Sequence, residues 1–286
     1  MYSGTTLTLI SGRVLGAHQK IDKLAYTSLR RSATLCKQFP TPHHILHFEG
    51  LNGPDAIKRK SPAQDEPWHY YAPFNPNDTQ LLDTLAYHHD RLVAALKAAD
   101  DTRASFEAAW LAHAIVDGLT PAHHYPYEEA LTELRGEGIE SRTSLKGKLL
   151  MPGETRRDQV KNNWKMWGPK GLLTTHGFFE WGIAAIIKPL STSQNMQLNQ
   201  KDMMELDQLG LLEVFKMRAK EVAALEMYKT YYELGWTPRL ATQIRRELIP
   251  IIVRTVALAW YSAAEEAECE TGVLKPLVKP KEGGKG

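Results

Sequence analysis

The chain has 286 residues, 43% of them hydrophobic, and its 35 basic and 33 acidic side chains leave a net charge of +2. That length and apolar content can build a substantial core and argue against a disordered chain. The near-cancelled charge argues against the global basic field that accompanies duplex nucleic-acid binding. Two cysteines, Cys36 and Cys269, are too few and too far apart for a disulfide framework or a thiolate zinc site, so the eleven histidines are the more telling feature.

In chain order, the opening MYSGTTLTLISGRVLG lacks the basic start and long apolar core of a secretory signal, so a cytoplasmic location is expected. No run approaches the roughly 18–20 uninterrupted apolar residues of a membrane span. Helical spacing of Ile21, Leu24, Ala25 and Leu29 predicts a first helix over about residues 15–35, with His18 in its first turns. Seven prolines between residues 40 and 77 forbid a long regular element there and predict a functional loop. A helix over about 79–99, capped by Asn77 or Asp78, precedes a central helix that begins after Asp100. Residues 125–155 read as one or two short helices broken by Gly136, Gly138 and Pro152, and helical pattern returns at about 171–187. Two long helical patterns, about 201–234 and 238–268, close the fold. The second opens on Thr237 as cap and Pro238 at the first helical position, and Pro250 bends it. With no hairpin signal and no repeat, the expected class is all-α: one helical domain over residues 1–270, on which the helices of 201–268 pack, and a flexible basic tail over 271–286.

The central helix carries the chemistry. EAAWLAHAIVDGLTPAHH, residues 107–124, sets His113 and Asp117 four residues apart on one face and brings back His123 after Pro121 turns the chain. Such a pair often arises by chance in a packed core. Here the helix is apolar almost all round, so both groups are buried, and buried ionisable groups need partners or a metal. His176 and Glu180 repeat the spacing inside GLLTTHGFFEWGIAAII. With His18, Asp55 and His69 the chain offers eight nitrogen and oxygen donors of the kind zinc takes in catalytic sites. The bland alternatives are a surface histidine at 18, a turn-forming Asp55 in Gly-Pro-Asp and a packed His69 beside Trp68, Tyr70 and Tyr71. The remaining histidines, His43, His44, His47, His88, His89 and His124, are read as loop or solvent-facing groups, with His124 and then His47 as substitute ligands.

The order of donors, an early helical His, then Asp, His, His-x3-Asp-x5-His and His-x3-Glu, resembles the zinc-dependent phospholipase C family and the related single-strand nucleases. The resemblance spans roughly residues 11–185. It implies an all-α fold of that type around a polynuclear zinc site, with His18, Asp55, His69, His113, Asp117, His123, His176 and Glu180 as ligands and Asp117 bridging two zincs. It also implies a zinc-held water as nucleophile, Asp55 as both ligand and candidate general base, and export from the cell as the alternative to a cytoplasmic location. The family's enzymes start, after processing, with a tryptophan that completes one zinc site. No tryptophan precedes His18 here, so two or three ions are implied. The 52 residues between His123 and His176 form an insertion that can serve as a lid or an extra surface.

Paired zinc ions suit phosphodiester hydrolysis. The expected activity is phospholipase C-type cleavage of a phospholipid headgroup, with transient membrane-surface contact and no duplex nucleic acid as partner. A single-strand nuclease or nucleotidase of the same fold is the alternative, and a non-catalytic zinc-binding helical interaction protein is the alternative of another class. Tyr70, Tyr71 and Phe74 are the expected substrate contacts, suited to a choline-like cation or to a stacked nucleobase.

Overall fold

A computed structural model describes residues 16–32, 38–50, 52–58 and 60–267. The N-terminal stretch, both cysteines and the basic tail lie outside the described residues. Among those described, every regular element is helical, fourteen α-helices joined by short 3-10 turns and one π turn.

Three helices and the loops between them surround the first donors. Helix α1 (Ala17–Ser32) buries Ile21, Leu24, Ala25 and Leu29 on one face, and His18 and Asp22 share that face. Helix α2 (Pro42–Glu49) stands where the prolines led us to expect only loop. Pro42 occupies its first turn, where a missing N–H costs nothing, and the Thr41 hydroxyl accepts from the His44 N–H. Gly53 then folds back so closely that a β-carbon there would stand 2.6 Å from the Glu49 carbonyl oxygen. That approach sets α3 (Pro54–Ile57), which carries Asp55, against the end of α2.

Helices α4 (Gln80–Lys97) and α5 (Asp101–Gly118) pack face to face, and Ala104, Ala108 and Ala112 line α5 every four residues where neighbours crowd in. Asp100 caps α5 through the Arg103 N–H, as its sequence signals. Asp78, expected to cap α4, instead accepts from the Ala72 N–H, and at the cap position the Thr79 hydroxyl donates to Asp83 and accepts no backbone N–H.

The insertion folds as α6 (Tyr127–Arg135), α7 (Leu145–Leu149) and α8 (Arg156–Trp167) before α9 (Leu172–Ile187). Helix α8, absent from the apolar periodicity because its outer face is not polar, is held by a Thr155–Asp158 capping box. The expected helix over 201–234 is three: α10 (Gln200–Leu209), α11 (Leu211–Ala224) and α12 (Met227–Leu234), broken at Gly210 and at Glu226, both with positive φ.

Helix α13 (Pro238–Gln243) runs through a π turn at Ile244–Leu248 into α14 (Ile249–Glu266). Thr237 caps α13 through the Leu240 N–H. Pro250 has no N–H to return to the preceding turn, and the widened turn absorbs the mismatch, with the Ile249 N–H reaching the Ile244 carbonyl.

These last helices do more than pack on a finished domain. Helix α14 touches α1, α4, α5, α10 and α11, and fully buried Trp260 donates its indole N–H to the Ala108 carbonyl of α5 at 2.9 Å. The stretch Pro238–Glu266 is long and apolar enough to cross a membrane, yet 89% of its apolar window is buried among the other helices. A second, smaller core of Tyr127, Leu131, Met151 and Met166 lies beneath the insertion, against Tyr70, Leu172 and Leu173.

Candidate metal centre

Helix α5 is the spine of the centre. His113 and Asp117 share its inward face, and the His113 Nε2 lies 3.1 Å from one Asp117 carboxylate oxygen. From α1, the His18 ring lies parallel to that of His113, with centroids 3.9 Å apart, and its Nε2 stands 3.3 Å from the other Asp117 oxygen. Past Gly118, Pro121 opens a 3-10 turn that returns His123, whose Nδ1 lies 3.5 Å from the same Asp117 oxygen. His123 Nε2 meets Glu180 of α9 at 2.7 Å, and His176, one turn earlier, meets Glu180 at 3.1 Å.

The donors fall into two buried groups, each able to hold a metal ion: His18, His113 and Asp117, and His123, His176 and Glu180. Asp117 faces histidines of both groups. Asp55 and His69 flank them. Asp55 is 3.8 Å from the His113 Nε2, and the His69 ring centroid is 5.2 Å from that of His123. Each residue expected to bind metal is therefore in this one region, while His124 turns its Nε2 to the Gly118 carbonyl and His47 pairs with Asn52 at the surface.

Three histidines are held by their Nδ1 atoms. His113 donates to Glu49 at 2.8 Å, His123 to the His69 carbonyl at 2.9 Å and His69 to the Pro67 carbonyl at 3.0 Å. Such bonds fix the tautomer and turn Nε2 outward as the donor, which is how metal-binding histidines are oriented. The Tyr71 N–H returns a bond to the His123 carbonyl, so the 67–71 loop and the 3-10 turn hold each other. The donor chemistry and its supports fit a divalent metal of the zinc type.

Burial and neighbouring charges shift the groups of the centre in opposite directions. Burial disfavours a proton on His113, but the Glu49 and Asp117 carboxylates outweigh it and push the imidazole up to about 10. Burial also works against the Asp117 charge, and the neighbouring histidines hold it well below the usual carboxylate range. Asp55 is held low despite burial because Lys58, one turn on, bonds it at 2.7 Å. His123 goes the other way, lowered to about 4 chiefly by burial.

Glu49, Lys58 and Asp22 escaped the sequence reading. Glu49 closes a helix that the prolines hid, and Lys58 needed α3 to stand three residues from Asp55 on one face. Asp22 repeats the i, i+4 relation from His18, and burial, then Glu49, raise its carboxyl well above the usual range.

Several expectations need correction. Tyr71 is 3% exposed and packs on Phe215 in the main core, so it is out of substrate reach. Tyr70 stacks on Tyr127 beside His123 and His176 as part of the centre's wall. Phe74 alone of the three aromatics is exposed, on a surface pocket with Tyr125 and Tyr228. His88 and His89 are not solvent-facing: both are buried, His88 bonded to Glu107 at 2.6 Å and His89 to Ser262 at 3.1 Å. Comparison of the chain with family models, curated proteins and solved structures finds no match. What stands is an all-α protein with two adjoining His/carboxylate groups that can hold metal.

Proposed function

We propose that this protein is a zinc-dependent phosphodiester hydrolase, with a phospholipid headgroup ester as its substrate. The observation that carries the proposal is two buried donor groups side by side, Asp117 of the first standing 3.5 Å from the His123 Nδ1 of the second, with His113, His123 and His69 held in donor orientation by their Nδ1 bonds. A single structural zinc needs no second group. When bound, a pair of zinc ions supplies Lewis acidity toward a phosphoryl oxygen and lowers the pKa of water.

The chain's own residues supply the rest. His18, His113 and Asp117 would hold one ion and His123, His176 and Glu180 the other, with Asp55 and His69 at their edge. Glu49 keeps His113 oriented. Asp55, held ionised by Lys58, is the candidate base and ligand, and its depressed pKa suits the ligand role better. Lys58 carries a positive charge beside Asp55 and within the field of Asp117 and Glu180, where it can offset the negative charge of a phosphodiester.

Hydrolysis of phosphatidylcholine and of single-stranded DNA, measured side by side with zinc present, tests this. Phosphatidylcholine is the expected substrate, and Asp55→Asn and His113→Ala are each expected to lower kcat by about a hundredfold or more. Preference for DNA moves the protein to the nuclease reading, and activity that survives both substitutions overturns the site.

A further inference from the structure

The insertion presents a surface that the metal centre does not use. Helix α8 has three faces. Met166 points into the small core, and the Asn162 and Asn163 side chains tie the helix to the backbone of Pro152 and Met151. On the side facing solvent, Val160, Trp164 and Trp167 follow one another at i, i+4 and i+7, a stripe of the kind that surface helices ordinarily turn inward. Val160 is 71% exposed and Trp164 69%, so among the described residues nothing covers the stripe. The Trp167 indole donates to the Leu149 carbonyl and joins α7 to the stripe, where Leu145, Leu149 and Leu150 add exposed aliphatic surface.

Cations border this stripe. Residues 145–170 hold seven basic and two acidic side chains; with Lys148 turned inward onto Glu66, the other six basic and two acidic groups leave +4 in a chain whose total is +2. Arg156, Arg157, Lys161 and Lys165 are all exposed, and among the described residues none of them forms an ion pair. Strong positive charge is thus concentrated around one apolar ridge and offset by the remainder of the molecule. A core-facing stripe would carry no such border, and a solubilising face would carry no tryptophan at its crest.

We infer that the α7–α8 face is a docking surface for an anionic lipid membrane, with Val160 and Trp164 entering the headgroup layer and the flanking Arg and Lys side chains meeting lipid phosphates. The match is one of chemistry: interfacial helices combine an apolar face bearing Trp and aliphatic residues with Lys and Arg alongside, and anionic leaflets attract such cations. Single-stranded nucleic acid shares the need for cations and aromatic rings, but aliphatic Val160, Leu145, Leu149 and Leu150 have no flat face on which a base can stack. The face also stands over the small core that adjoins the metal centre. The small core under Met166 touches Tyr70, whose ring lies 5.4 Å from that of His123. Docking requires no turnover, so it stands or falls separately from the proposed hydrolysis.

The test is co-sedimentation of the full chain with phosphatidylcholine vesicles, with and without phosphatidylserine, at low and high salt. Binding is expected on the serine-containing vesicles, weakened by salt. Val160→Ser with Trp164→Ala is expected to lower the partition coefficient about tenfold, and Arg157→Glu with Lys161→Glu to abolish the preference for phosphatidylserine. Met204→Ala, exposed on α10, is expected to bind as the parent does, and hydrolysis of a soluble short-chain phosphodiester is expected to be unchanged in all three. Equal binding to both vesicle types, or parent-like binding by both double variants, overturns the inference. So does tighter capture of single-stranded DNA than of vesicles, or self-association that the Val160 and Trp164 changes remove, since these make the face a nucleic-acid or subunit surface.

Discussion

Glu49 shows how much of the centre depends on a residue outside the donor set. Its carboxylate fixes the His113 Nδ1 at 2.8 Å and stands 3.7 Å from the His18 Nδ1, so one side chain steadies both stacked rings. Carboxylates in this role typically tune metal affinity by 10–100-fold. Glu49→Gln is therefore expected to leave the fold intact and weaken zinc binding by about that factor, read by competition with a chromophoric chelator. Unchanged affinity would reduce Glu49 to packing. The donors themselves were legible because His113 with Asp117 and His176 with Glu180 announce themselves by spacing within apolar runs. Glu49 was not, because an outer partner has no spacing rule: it reaches His113 across 64 residues. His88 misled for a related reason. Its partner, Glu107, lies on the neighbouring helix, and only α4–α5 packing shows that the pair is buried.

Elements were readable where apolar periodicity and caps agree, and unreadable where they conflict. Thr237 with Pro238 and the cap at Asp100 fall where sequence indicates. Helix α2 was hidden because its proline sits at the one place a helix tolerates it. Helix α8 was hidden because its apolar residues face outward. The bend between α2 and α3 rests on Gly53: a β-carbon would sit 2.6 Å from the Glu49 carbonyl oxygen and 2.9 Å from that of Phe48, both backbone atoms. Gly53→Ala must push α3 away from α2 and carry Asp55 with it. We expect a loss of about 1–3 kcal/mol in stability, as for other overpacked sites, together with weaker zinc binding, measured by thermal melting and zinc titration. Parent-like zinc affinity in this variant would show that Asp55 is not held to the centre by this bend.

At the scale of the whole molecule, α14 and α5 form a shared core, and the metal centre closes the end of it where α1, α2, α3 and α9 converge. The all-α class was legible from pattern. The central place of α14 was not, since a uniformly apolar helix announces burial without announcing its neighbours. The buried histidines make stability depend on pH in the metal-free chain. His113, raised to about 10 against an ordinary value near 6.5, contributes stability that is fully present below pH ~6.5 and lost as pH rises through about 10. His123 and His124, both lowered to about 4, contribute stability present above pH ~6.5 and lost as pH falls through about 4. Melting temperatures of chelator-treated protein are expected to be highest near neutrality and to fall on both sides, and a flat profile would contradict this balance. Zinc taken up by the two donor groups is expected to raise the neutral-pH melting temperature, because those groups come together only in the folded chain. The most direct test is the zinc retained per chain after dialysis, measured by mass spectrometry of the metal in the parent and in His176→Ala. Two adjoining donor groups predict at least two ions in the parent and the loss of about one in the variant; a parent that retains one ion or none contradicts a two-metal centre.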